Sequence, residues 1–307
     1  MEPKAGEASV VLAGLTAREA MAALARVLDA AGLDGALRDA RLLLLEALSI
    51  SAVDLLRDPE RRLATDEAAR LAAFGERRLQ REPVSRILGA RGFYGRTFHI
   101  TPATLDPRPC TETLIEAALD LADAEGWRDQ PIRIVDIGTG SGALLVTLLA
   151  ELPLATGVGT DISEEALRGA RGNAERLGVA ARAEFLNRRT LDGIEGSFHL
   201  LISNPPYIPT ADIASLQPEV RDFDPRAALD GGADGLDLYR QLAVGLGRIV
   251  AAGWALFEVG AGQAEDVAGL LRAALGGSGA PPEIRLWTDL GQHTRCVAVR
   301  TRPSSGR

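Results

Sequence analysis

Val135-Asp136-Ile137-Gly138-Thr139-Gly140-Ser141-Gly142 is the stretch that decides how this chain folds. The apolar, branched run Ile132–Ile137 reads as a buried strand, and three alternate glycines hand it over to a helix predicted for Ala143–Leu152. Glycines at such a handover let backbone approach a ligand closely, and the helix start offers unpaired N–H donors. Downstream the same alternation continues. Strands are expected at Thr156–Thr160, Arg182–Leu186, Phe198–Ser203 and Trp254–Val259, and helices at Glu164–Leu177, Leu236–Ala251 and Gln263–Leu275. The last two strands, Glu283–Trp287 and Thr294–Arg300, flank Asp289-Leu290-Gly291-Gln292, too short for a helical crossover, so they should pair antiparallel. The pattern predicts an α/β fold: a Rossmann-like, mainly parallel, doubly wound sheet with one reversed strand in a C-terminal hairpin.

Upstream the character is different. Thr16-Ala17-Arg18-Glu19 has the capping-box pattern, starting a helix that runs to Ala31. Helices are also expected at Ala36–Leu48, at Ala52–Arg57 and from after Thr65 through Arg77 and Arg78 until Pro83, and no catalytic pattern falls among them. Gly89, Gly92 and Gly95 then punctuate Phe93, Tyr94, Phe98 and Ile100, which suggests a hairpin. Three segments are therefore expected: a helical domain over 1–82, a β-hairpin linker over 83–110 and a ligand-binding domain over 111–307. Pro107-Arg108-Pro109 fixes the approach to the next helix, leaving Arg108 and Glu112 either a structural salt link or a wall of the site. Residues 1 to about 14, the loop 276–282 and the tail 303–307 read as loose.

Composition narrows the function classes. The 307 residues include 46% hydrophobic and 25% charged side chains, an ordinary globular balance. With 34 basic against 42 acidic residues the formal charge is −8, which disfavours a protein gripping nucleic acid through its phosphates. Cys110 and Cys296 offer neither a disulfide framework nor zinc spacing, and His99, His199 and His293 form no ligand pattern, so no metal is expected. No segment is long enough to span a bilayer and no signal-peptide core follows Met1, so the expected location is the cytoplasm.

The glycine loop alone leaves the ligand open. Gly138-Thr139-Gly140-Ser141-Gly142 fits a dinucleotide fingerprint through Gly138-x-Gly140-x-x-Ala143, and Asp161 can accept both hydroxyls of a ribose. Two details favour S-adenosylmethionine over a nicotinamide. Asp136 precedes the loop, where an acid suits a cationic amino-acid moiety better than a pyrophosphate. The second detail is Ser203-Asn204-Pro205-Pro206-Tyr207-Ile208, directly after a buried strand. The first proline forces Asn204 out of the helical region, and neither proline has an N–H for a ladder. The result is a stiff turn that displays one carboxamide, two carbonyls and an aromatic ring, suited to gripping a planar group that bears an NH2. Ligands of open sheets bind at the carboxyl ends of strands, so both motifs should share one rim.

In these residues the chain resembles the class I S-adenosylmethionine-dependent methyltransferases of the Asn-Pro-Pro-Tyr group, and most closely the release-factor glutamine methyltransferases (the PrmC/HemK family). The resemblance extends through Arg81-Glu82-Pro83-Val84, Thr111-Glu112, Asp161-Ile162-Ser163, Phe223-Asp224-Pro225 and Ala228-Leu229-Asp230-Gly231-Gly232. It implies that Gly138, Thr139, Gly140, Ser141 and Gly142 line the methionine and ribose side of S-adenosylmethionine and that Asp161 holds the ribose. It further implies that Asn204 touches cofactor and substrate, and that Asn204, Pro205, Pro206 and Tyr207 hold a glutamine. The implied target is the Gly-Gly-Gln loop of bacterial peptide chain release factors, presented by the N-terminal helices. Departures are Cys110 where the family has an acid, Arg86 where it has Tyr and His199 where it has Asp. The adenine-side triplet falls near Asn187–Thr190, and no residue is carried over there. No Ser or Cys nucleophile with a His partner is visible, and His199 reads as structural. The alternatives are a ribosomal-protein glutamine methyltransferase, a DNA or RNA adenine-amine methyltransferase, which would need a basic cleft for a flipped base, and a noncatalytic cofactor-binding module.

Overall fold

The computed structural model describes residues 12–276 and 281–301; the loose segments expected at the two termini and over 276–282 lie wholly or largely outside them. Five helices come first: α1 (Ala17–Ala30), α2 (Ala36–Ala47), α3 (Ala52–Arg57), α4 (Thr65–Leu79) and α5 (Val84–Leu88). The hairpin β1 (Ala90–Phe93) and β2 (Arg96–His99) follows, then α6 (Glu112–Ala124), β3 (Arg133–Ile137), α7 (Ala143–Glu151), β4 (Thr156–Asp161), α8 (Glu164–Arg176), β5 (Ala183–Asn187) and β6 (Leu200–Ser203). The chain ends through α9 (Pro218–Arg221), α10 (Asp237–Ala243), α11 (Leu246–Ile249), β7 (Trp254–Glu258), α12 (Ala264–Leu275), β8 (Ile284–Thr288) and β9 (Thr294–Arg300).

By its contacts the chain divides into two compact units, one running to Gly89 and including Pro218–Phe223, the other holding the remainder. In the helical unit the capping box forms as its spacing implies. The Glu19 amide donates to Thr16 Oγ1 at 3.3 Å and the Thr16 amide to Glu19 Oε2 at 2.9 Å. Thr16→Ala therefore costs about 1 kcal/mol, read as a lower urea midpoint with turnover unchanged. Leu24, Leu28, Leu43, Leu44 and Leu71 fill its core. Arg78, 6% exposed, bonds Asp39 at 2.9 Å and Glu219 at 3.2 Å, so a buried cation with two acceptors ties α9 to α2 and α4.

The second unit carries a seven-stranded sheet in the order β5-β4-β3-β6-β7-β9-β8. β3, β4, β5, β6 and β7 run parallel, while β9 runs antiparallel to β7 and β8. One reversed strand in an otherwise parallel sheet is what the terminal hairpin implied. Side chains alternate across the pleat. Ile134, Leu200 and Ile202 join α6, α7 and α8 in one core, and Val135, Ile137 and Leu201 join α10, α11 and α12 in the other. The hairpin belongs to this unit, with Phe93 and Phe98 packed into the first of those cores.

The helix expected over Leu236–Ala251 is broken. Val244 is extended and Gly245 has φ +85°, so α10 ends and α11 starts anew. Glycine reaches that conformation without the Cβ penalty, which the apolar spacing of Leu242, Leu246 and Ile249 does not reveal. Among the described residues no helix is long and apolar enough to cross a membrane, and no cluster of His, Cys, Asp and Glu could hold a metal ion.

Candidate active site

The chain first builds β3, β4 and β5 toward one edge, then returns to lay β6 against the other side of β3. The loops leaving β3 and β6 diverge at that reversal and open a crevice at the carboxyl end of the sheet. Gly138–Gly142 follows β3 and Asn204–Tyr207 follows β6, with Ile137 and Ser203 in register. Thus the two sequence motifs stand side by side. Ser203 Oγ donates to the Ile137 carbonyl at 2.7 Å and locks the two strand ends together.

A cavity of about 270 Å3 lies over this point. Gly138, Thr139, Gly140, Ser141, Asp161, Asn204 and Pro206 line it. Gly142, Pro205 and Tyr207 do not reach its wall. Gly142, at φ +80°, serves packing instead. A Cβ there would meet Ala170 Cβ and Val146 Cγ2 at 3.2 Å, so the glycine permits close approach of α7 to α8. Pro205 is buried at the root of the turn. Tyr207 is largely enclosed, and burial together with the Glu258 charge pushes its phenol well above the ordinary range. Its carbonyl accepts from Gln263 Nε2 at 2.9 Å, while Gln263 Oε1 accepts from the Gly260 amide at 3.0 Å.

The glycine loop is shaped by two acids. Asp161, at the end of β4, accepts the Gly140 amide at 3.0 Å through Oδ2 and the Ser163 amide at 2.9 Å through Oδ1. Each oxygen retains a lone pair for another donor. Burial pushes the Asp161 carboxyl up, opposed by those amides. Asp136 behaves otherwise than the sequence suggested. It is fully buried and does not line the cavity; Oδ2 accepts from Thr139 Oγ1 at 2.7 Å, and Oδ1 has no hydrogen-bond partner among the described residues. Burial lifts its carboxyl to about 7, against the pull of the Thr139 hydroxyl. Its place is under the loop.

Arg108 and Glu112 resolve as structural links. Arg108 Nη2 meets Asp224 Oδ2 at 2.5 Å, and Glu112 Oε1 accepts the Tyr94 amide at 2.7 Å, fastening the hairpin to α6. Their neighbours Pro107 and Thr111 are the ones that wall the cavity. Thr111 Oγ1 also accepts from Asn204 Nδ2 at 3.3 Å. His199 lies before β6, at the opposite end of the strand from the cavity; its Nδ1 accepts the Arg133 amide at 3.0 Å and its ring meets Trp127 edge-on. It serves the structure.

Several walls had no role assigned from the sequence, although the adenine-side triplet was placed near Asn187–Thr190. Ala103–Leu105, Pro225, Ala227 and Ala228 line the cavity, as do Ile162, Arg188 and Arg189. The last three simply follow the ends of β4 and β5, so the rule that ligands meet strand ends could have found them.

The lining suits S-adenosylmethionine. A Cβ at Gly138 would point into open space within the loop, the Asp161 carboxylate has acceptor capacity left, and Ala143, Leu144 and Ile162 give apolar surface. Two family models match the chain: one described as the PrmC N-terminal domain over residues 19–89, and one described as the methyltransferase small domain over residues 120–216. A Bradyrhizobium diazoefficiens protein named release factor glutamine methyltransferase is 46% identical over 291 residues, 94% of this chain and 96% of that protein. A Rhodospirillum rubrum protein of the same name is 47% identical over 294 residues, 93% of this chain and 87% of the relative. Among solved structures, the hMettl16 catalytic domain in complex with MAT2A 3'UTR hairpin 1 superposes with TM-score 0.55 at 16% identity, covering 86% of this chain and 95% of that one, which shows the fold alone.

Proposed function

Because the chain belongs to the family of release factor glutamine methyltransferases, we propose that it methylates the side-chain amide nitrogen of the glutamine in the Gly-Gly-Gln motif of peptide chain release factors, using S-adenosylmethionine. The observation that carries this reading is the placement of Asn204 on the same cavity wall as Gly138–Ser141 and Asp161. S-adenosylmethionine, when bound, supplies an electrophilic methyl group on a sulfonium leaving group.

The protein contributes positioning. A carboxamide nitrogen is a poor nucleophile because its lone pair is delocalised into the carbonyl. Asn204 Oδ1 and the Pro205 carbonyl accept the two amide hydrogens of the glutamine, fixing its nitrogen and stabilising positive charge as it develops there. Pro206 and Tyr207 bound the amide plane. No strong base is required, since the nitrogen becomes acidic once methylated and releases its proton. Gly138–Ser141 and Asp161 hold the methionine and ribose, with Gly142 packing the loop onto its helix, and the helical unit ending at Gly89 recognises the body of the release factor. On this reading the chain works in the cytoplasm with its target.

Asp161→Asn keeps the shape of the side chain and removes its charge. It weakens S-adenosylmethionine binding on the order of tenfold, as for one lost charge-assisted hydrogen bond, while kcat at saturating cofactor changes less. Calorimetry with the cofactor measures the first, initial rates the second. The function itself is tested by offering labelled S-adenosylmethionine with purified release factors, ribosomal proteins, DNA and RNA. Label on release factors supports the reading. Label confined to ribosomal proteins or nucleic acid contradicts it.

A further inference from the structure

Behind Asn204 lies a carboxylate that the proposed reaction does not yet use. Glu258 ends β7, next to the strand that ends at Ser203, and is 1% exposed. Neither of its oxygens makes a hydrogen bond of normal geometry among the described residues. A carboxylate in a dry site is costly even where hydroxyl, amide and phenol groups face it, and one kept beside the cavity wall calls for a reason. The side chains around it are consistent in kind. The Thr111 hydroxyl, the Arg295 guanidinium, the Asn204 amide and the Tyr207 phenol all favour its charged form, the hydroxyl most among them. Cys110, Cys296, Tyr207 and Tyr239 are the other titratable groups within its field, and the Glu258 charge disfavours ionisation of each. Arg295 is fixed in turn by Asp289 at 2.8 Å.

Hydrogen-bond polarity supplies the reason. An ionised carboxylate has acceptors only, whereas hydroxyl and carboxamide groups can be turned either way. Thr111 Oγ1 accepts from Asn204 Nδ2 at 3.3 Å, which leaves the Thr111 proton to be given elsewhere. Resting on the function proposed above, we infer that Glu258 is a positioning residue: acting through Thr111, its carboxylate orders the donors so that Asn204 keeps its NH2 toward the protein and turns Oδ1 to the substrate amide. With Glu258 neutral, Thr111 has no obligatory acceptor, and Asn204 can present its NH2 to a substrate NH2, a contact between two donors.

Burial lifts the Glu258 carboxyl to about 7. Its ordering effect is thus present above that pH and lost as pH falls through it. Wild-type kcat on a release factor falls on the acid side of about 7, with KM for S-adenosylmethionine little moved. Glu258→Gln lowers kcat on the order of tenfold at pH 8 and abolishes that acid limb. Thr111→Val does the same, Thr111→Ser restores most of the rate, and the double variant Glu258→Gln with Thr111→Val is no worse than either alone.

Folding is checked by the opposite sign. A raised folded-state pKa lowers stability as pH rises from the unfolded value through the folded one. Glu258→Gln therefore unfolds at or above the wild-type midpoint at pH 8, with the gap closing toward pH 5. A folded Glu258→Gln with wild-type kcat and an unchanged acid limb overturns this inference and leaves the proposed function standing. A wild-type enzyme that methylates no glutamine overturns that function and this inference with it. Should the Gln variant fail to fold, the wild-type pH profile and the Thr111 pair decide: a flat profile with active Thr111→Val contradicts the proposal.

Discussion

Replacing Asn204 with alanine lowers kcat on the order of a hundredfold or more, while S-adenosylmethionine binds almost as in the wild type. The size follows from what is removed. Asn204 is the one side chain of the Asn-Pro-Pro-Tyr turn that combines a carboxamide with a place on the cavity wall. In the proposed reaction its Oδ1 accepts a hydrogen whose positive character grows as the methyl is transferred, so the contact strengthens toward the transition state. Such differential contacts act on kcat, whereas contacts equal in both states act on KM. On the proposed binding mode the cofactor keeps the Gly138–Ser141 loop and Asp161, whose hydrogen bonds to one another do not involve Asn204. Single-turnover rates and calorimetry on one preparation separate the effects. A near-normal single-turnover rate contradicts the assignment.

The second large effect is expected from a residue outside the cavity. Gly235 has φ +78°, and a Cβ added there would collide with the Tyr207 carbonyl oxygen and stand 2.7 Å from Gln263 Nε2. Both strain and collision act at once. The left-handed backbone costs an L-residue about 1–3 kcal/mol, and the collision is with main chain that cannot swing aside. Gly231 backs the same turn, with the Pro206 carbonyl oxygen only 2.7 Å from where its Cβ would be. Gly235→Ala thus displaces Tyr207 and, through it, the Asn204–Pro205 acceptors. A displacement near 1 Å in a positioning site costs about a hundredfold in rate. The expected result is a loss in kcat of that order and a lowered urea midpoint, with cofactor affinity near wild type. Unchanged kcat in a folded Gly235→Ala contradicts the role given to the stiff turn.

Local pattern carried much of the architecture. The Ile132–Ile137 run, the glycine handover and the short terminal connection each contain their own reading, and the sheet has the parallel set and single reversed strand they imply. The capping box at Thr16 is equally local. What escaped is what depends on distant chain. Gly245 divides α10 from α11 through a backbone angle that apolar spacing does not encode. Asp136 sits beneath the glycine loop because Thr139, three residues on, claims its oxygen in a site without solvent. The walls at Ala103–Leu105 and at Pro225, Ala227 and Ala228 reach the cavity only through tertiary packing.

Glu258 is the instructive case. In sequence it is one acid at the end of an apolar strand. Its meaning appears only when β6 and β7 are known to be neighbours, with Ser203 opposite Phe257, because that register sets residue 258 beside residue 204. The local reading of the turn brought Asn204 forward and left Glu258 unremarked, since the turn is a contiguous motif and the carboxylate behind it is not.

The account rests on a carboxamide nitrogen being held toward a methyl donor by the turn after β6. The most direct measurement is the position of the transferred methyl in a release factor after one turnover with isotopically labelled S-adenosylmethionine, located by fragmentation mass spectrometry. The account predicts the label on the side-chain nitrogen of the Gly-Gly-Gln glutamine, absent with Asn204→Ala on the same timescale. Label on any other atom of the release factor, or an equal yield from the alanine variant, contradicts it.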